Sequence, residues 1–263
     1  MKKFFLVILI SLFCLAPMYE IKAQDPLKPK QRTWLRKHGT IQVGVSRHYP
    51  PVVFIDELGG AQGIGVDFWR LLSSKLNFWV QFHPAPFKDQ MNGVIKGKYD
   101  SMAGIFPSKE RRQFFDFTKP YKVIQTYIYV KPQYFNLRKL SDIRGLGVSA
   151  VSGDSGEIIA RKAGLNPLLV ATYREALFNL AKGDTDAIII DELVAIYLAK
   201  KYNLSHKIVR IGKPVHVGKL TLPVRKGNTI LLGILNKGIS MVNNYEWEAI
   251  EKRWLGKGIR IFH

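Results

Sequence analysis

The chain has 263 residues, with 40 Lys+Arg against 20 Asp+Glu for a formal charge of +20, and one cysteine, Cys14. A lone cysteine excludes an internal disulfide, and six histidines without paired ligand spacing argue against a metal centre. The basic residues are spread along the chain with no nucleic-acid motif beside them, so they read as a generally basic surface and not as a nucleic-acid footprint.

Lys2 and Lys3, an apolar run from Phe4 to Leu15 and then Ile21-Lys22-Ala23 predict a secretory signal peptide over residues 1–23. The run is too short for a membrane span, and Phe13 is too bulky to precede a lipidated Cys14. Beyond it the chain lacks cysteine, so stability must come from a core, for which about 240 residues suffice. The expected product is a soluble protein in a bacterial periplasm.

Strand Ile41 to Val45 opens the first half, followed by a glycine-rich turn (Gly59, Gly60, Gly63, Gly65) and an amphipathic helix. That helix carries Val66, Phe68, Trp69, Leu72 and Leu76 at helical spacing, with Asp67 as a cap or dipole partner. Phe78 to Phe82 reads as the next strand. Two segments then echo each other: Lys96-Gly97-Lys98-Tyr99-Asp100 and Lys182-Gly183-Asp184-Thr185-Asp186 each end a helix, turn tightly and enter an apolar strand. The repetition predicts two similarly wound α/β lobes.

Thr126 to Val130 is β-branched and aromatic, and reads as a strand crossing between lobes; a strand around Leu220 to Val224 is expected to cross back. Between them lie a strand at Leu146 to Ser149, a helix opened by Gly153-Asp154-Ser155-Gly156-Glu157, a Thr172/Glu175 capping box, and strand Ala187 to Ile190. A helix ending near Asn243 and an amphipathic helix over residues 244–256 close the chain. No Gly-x-Ser-x-Gly elbow or phosphate-binding loop occurs.

The stretch Ser101 to Tyr121 is the most specific. A small-residue strand (Ala103-Gly104) leads to Ser108-Lys109-Glu110-Arg111 and then to Asp116-Phe117-Thr118-Lys119-Pro120-Tyr121. Arg111 follows a strand's carboxyl end, where open α/β sheets hold ligands, and its planar fork suits a carboxylate. The pattern resembles the periplasmic solute-binding proteins that serve polar amino-acid transporters. The tail Lys252-Arg253-Trp254-Leu255-Gly256, similar to that family's closing Lys-Trp-Phe-Gly, extends the resemblance over most of the chain.

The resemblance implies a two-lobe periplasmic-binding-protein fold of type II, its mixed sheets joined by two crossing strands. Lobe 1 would span residues 24–129 and 222–263, and lobe 2 residues 130–221. It assigns Arg111 to a ligand's α-carboxylate, Asp191 to its α-ammonium, and Tyr49 and Phe87 to the faces of its side chain. Asp191 also reads as a helix N-cap. Gly153, Asp154 and Ser155 match a turn that meets the carboxylate, but Asp154 replaces a usual Thr and reads better as a cap with Glu157. Ser46 stands where many members carry an acidic or other polar side chain. Phe106 replaces a usual hydroxyl, while Gly104 keeps its carbonyl. A lost hydroxyl of this kind is worth roughly 0.5–1.5 kcal/mol.

The implied function is capture of a small polar solute, an amino acid or related carboxylate, by a monomer that delivers it to an ABC permease in the inner membrane. No cofactor, catalytic residue or nucleic acid is expected. The fold also hosts cyclohexadienyl dehydratases, in which Asp154, Asp191 or Glu192 would supply the acid. A ligand-sensing accessory protein is the other alternative.

Overall fold

The computed structural model describes residues 25–256. The signal-peptide reading of residues 1–23, with Cys14, lies outside the described residues.

Helix α1 (Pro29–His38) starts with proline, whose missing N–H costs nothing in a first turn, and stops at Gly39, φ 80°. Strand β1 (Thr40–Val45) buries Ile41, Val43 and Val45. A small antiparallel sheet follows, made of β2 (His48–Tyr49), β3 (Val53–Ile55) and β4 (Ala61–Gln62). Helix α2 (Ile64–Leu76) buries all five of the apolar residues that its spacing singled out. Then come β5 (Trp79–Pro84), α3 (Phe87–Ile95), β6 (Ser101–Met102), a 3-10 turn at Arg111–Gln113 and β7 (Phe115–Phe117). Asp67 is more than a dipole partner. It is buried, accepts from Arg70 Nη1 (3.0 Å) and Trp254 Nε1 (2.8 Å), and pairs with Arg253.

The long strand β8 (Lys122–Val130) leads to β9 (Val148–Val151), α4 (Ser155–Lys162), β10 (Leu168–Val170), α5 (Tyr173–Lys182), β11 (Ala187–Asp191) and α6 (Glu192–Lys201). The chain returns through β12 (Val209–Leu220) and β13 (Pro223–Arg225) to α7 (Thr229–Met241) and α8 (Asn244–Leu255). Among the described residues, no helix is long and apolar enough to cross a membrane.

These strands form two five-stranded mixed sheets, ordered β5-β1-β6-β13-β7 and β10-β9-β11-β8-β12. The echoed turns do equivalent work in the two lobes. Gly97 and Gly183 take φ 77° and 94°, and the closing acids each accept an amide at a neighbouring strand's entry: Asp100 from Gln42 (2.7 Å), Asp186 from Gly147 (3.1 Å).

Strands β8 and β12 pair antiparallel and carry the chain between lobes, with an Ile105–Thr221 bridge at the first-lobe end. The returning strand is longer and earlier than its sequence suggests. Gly212 and Pro214 obscure it, and a register shift between Ile211 and His216 absorbs them. At Gly212, φ 63°, a Cβ would lie 1.8 Å from the Arg138 carbonyl oxygen, so only glycine fits.

The lobes also touch away from these strands. Leu193 of α6 joins the first-lobe core, and the Phe54 ring lies 6.1 Å from Tyr197 and 5.5 Å from Trp254.

Candidate functional site

The residues singled out in the sequence fall into two groups, one on each side of the seam between lobes. On the first lobe, Arg111 opens the 3-10 turn and is half-buried. Its Nη1 donates to the Phe106 carbonyl at 2.6 Å, and its guanidinium carbon lies 5.2 Å from the centre of the Phe87 ring. Burial lowers its pKa somewhat, with nearby Glu110 opposing this. No carboxylate forms an ion pair with it among the described residues.

Phe87 is the first residue of α3 and is 40% exposed, so its ring serves as a shelf for Arg111 and not as core. Phe106 lays its ring on β12, where a Cβ on Gly218 would come within 2.7 Å of it, and meets His216 edge-on at 6.3 Å. Ser46 accepts from Gln90 Nε2 at 3.1 Å.

Gly104 is required by close packing: a Cβ there would sit 2.6 Å from Tyr121 Oη and 2.9 Å from Leu220 Cγ. Tyr121 Oη donates to the Ala103 carbonyl at 2.7 Å, so it cannot retreat freely. Gly104→Ala is expected to cost about 1–3 kcal/mol by overpacking, read from urea denaturation; an unchanged midpoint would show that the wall yields.

The second group centres on Asp191, the last residue of β11 and 1% exposed. Thr126 Oγ1 donates to its Oδ1 at 2.6 Å, a contact made by the register that pairs Asp191 with Thr126 across β11 and β8. Tyr49, from β2 of the first lobe, donates its hydroxyl to Oδ2 at 2.6 Å. Asp191 stands at the N-cap of α6 but makes no side-chain cap bond, so both oxygens serve the seam.

The Tyr49 ring packs against Tyr173 of α5 at 5.6 Å, and Tyr173 lies close enough to Asp154 for each to shift the other's pKa. Asp154 holds the N-cap position of α4 with an extended backbone (φ −92°, ψ 168°) but makes no side-chain cap hydrogen bond. Glu157 takes the neighbouring role instead, accepting from the Gly153 amide at 2.8 Å. Ser155 Oγ donates to Asp154 at 3.4 Å. Gly153 is exposed.

Tyr49 and Phe87, paired in the sequence reading, therefore keep different company, Tyr49 with Tyr173 and Phe87 with Arg111. Thr126, Tyr173 and Gln90 were not singled out. Thr126 was legible only through its register with Asp191, and Tyr173 looked like an ordinary first-turn residue behind the Thr172 cap.

Burial raises the pKa of Asp191 to about 6, with repulsion from Asp154 adding to it and the Thr126 and Tyr49 hydroxyls drawing it back. Burial also raises Asp154. An acid whose folded pKa exceeds its unfolded value of 3.8 holds extra protons when folded. Its stabilising contribution is full below that unfolded value and is lost as pH rises through about 6. Asp154→Asn removes one acid and the repulsion on the other. The variant should match the wild type in stability near pH 4 and exceed it at pH 7. Parallel pH dependences of melting temperature for the two proteins would refute this coupling.

Two α/β lobes joined by two long strands and meeting on polar and aromatic side chains are the architecture of a periplasmic-binding-protein-like, Venus-flytrap domain. The chain belongs to the bacterial extracellular solute-binding proteins, family 3, whose profile matches residues 41–257. The L-cystine-binding protein TcyJ of Escherichia coli (strain K12) is 26% identical over 231 residues, 86% of each chain. An ancestral arginine-binding protein bound to arginine is 29% identical with a TM-score of 0.71, covering 83% of this chain and 99% of that one. A histidine kinase sensor domain with similarity to periplasmic binding proteins is 26% identical with a TM-score of 0.72, covering 82% and 96%.

Proposed function

We propose that this protein binds an amino acid or a closely related zwitterionic carboxylate in the seam between its lobes, and delivers it to an ABC permease in the inner membrane. The observation that carries this reading is Arg111. Its guanidinium is half-buried on an aromatic shelf, anchored through one nitrogen, with no acidic partner among the described residues. A half-buried cation gains most from a carboxylate that takes two of its remaining N–H groups.

Asp191 on the opposing lobe is the acceptor for the ammonium, and Tyr49, Phe87 and Phe106 shape the space for the side chain. Ser46, Gly104, Gly153, Asp154 and Ser155 line the remainder in this reading, with residues 24–129 and 222–263 as one lobe and 130–221 as the other. A zwitterion bridging both charges favours the closed form by its differential affinity. Relatives named for L-cystine and for arginine support this ligand class.

The test is a thermal-shift screen of the twenty amino acids and L-cystine, with mass spectrometry of small molecules retained through purification. A concentration-dependent rise in melting temperature with at least one α-amino acid is expected. No shift across the set, with a non-amino-acid retained, would replace the reading. Periplasmic location is tested by fractionation, and dehydratase activity by incubation with prephenate.

The likeness to a kinase sensor domain favours one second reading, ligand sensing through a membrane partner. Recovery of a receptor instead of a permease in crosslinked envelope fractions would select it.

A further inference from the structure

We infer that Tyr49 is a built-in latch that holds the lobes together by occupying, on Asp191, the acceptor that a ligand's cationic group needs. The competition half of this inference rests on the ligand class proposed above; the latch itself rests on geometry alone.

Tyr49 belongs to β2 of the first lobe, whereas Asp191 ends β11 of the second, 142 residues along the chain. Their 2.6 Å bond is a hydroxyl donating to a carboxylate with almost no solvent contact. Bonds to a charged acceptor are about twice as strong as neutral ones, and more so where water is excluded. The ring is held as firmly as the hydroxyl. It packs against the apolar clusters of both lobes and lies 5.6 Å from Tyr173. Thr126 fills the other oxygen of Asp191 at 2.6 Å. An arriving ammonium must therefore displace or share a tyrosine hydroxyl. Tyr49 both closes the seam and sets an affinity threshold, because a ligand that enters an open form binds only in proportion to that form's population.

Tyr49→Phe tests this, since it keeps the ring and deletes the bond. Small-angle scattering without added ligand should give a larger radius of gyration for the variant than for the wild type. Circular dichroism should show the same secondary structure in both. Superimposable scattering profiles would overturn the latch. With L-arginine and L-cystine as probes, whichever binds should bind the variant several-fold more tightly in calorimetry. Equal or weaker binding would overturn the competition. If neither these probes nor any of the twenty amino acids binds either protein, the ligand class proposed above is what fails, and scattering still decides the latch.

Discussion

Replacing Arg111 by Ala is expected to weaken binding of an α-amino acid by roughly 100-fold or more in calorimetry, with little effect on folding. The estimate follows from two charge-assisted bonds to a carboxylate, each about 1.5–3 kcal/mol, at 1.4 kcal/mol per tenfold change. Folding should tolerate the change, because Arg111 spends one bond on the Phe106 carbonyl and rests a half-buried side chain on Phe87. Arg111→Lys should recover only part of the loss, since an ammonium keeps the charge without the fork. Affinity within threefold of wild type in the Ala variant would remove Arg111 from the site and, with it, the carboxylate anchor.

Glu251→Ala should be the most destabilising single change discussed. Lys122, at the start of the first crossing strand, and Glu251, on α8, form an ion pair in which both residues are under 10% exposed. Breaking such a pair strands a buried charge and costs about 3–5 kcal/mol. At roughly 2–4 °C per kcal/mol for a chain of this size, the melting temperature should fall on the order of 10 °C. Replacing both partners, Lys122→Met with Glu251→Leu, should restore most of the loss, because the pair's own attraction is offset by desolvation. A single variant that melts within 2 °C of wild type would show that water reaches the site. The pair sits where α8 already grips the first lobe, through Trp247 stacked 4.8 Å from Phe68 and Trp254 bonded to Asp67. Glu251 thus ties the closing helix to the strand that leads into the second lobe.

Much of this arrangement was legible in the chain itself. The spacing of Val66, Phe68, Trp69, Leu72 and Leu76 located α2, and the paired Lys-Gly turns located the same joint in both lobes, because helix exits need a left-handed glycine and a nearby donor or acceptor. Arg111 stood out by its position after a strand end, and Asp191 through the family resemblance. What escaped was set by long-range register. Nothing near Thr126 or Tyr173 announces that they will meet Asp191 and Asp154, since those contacts are decided by how strands align and lobes close. Asp154 reads as a helix cap from its neighbours, and it does stand at the N-cap of α4; what the local sequence does not announce is that Tyr173, on α5, lies beside its carboxyl group.

The irregular middle of β12 has a consequence for how copies of the molecule treat one another. This strand is the outermost of its sheet, a place where a bare ladder invites another chain to add on. Here an incoming strand meets Pro214, which has no N–H to offer, a kink over the Arg138 carbonyl, and the like charges of Lys213 and Lys219. Crowded neighbours are thereby denied a template along this edge of the sheet.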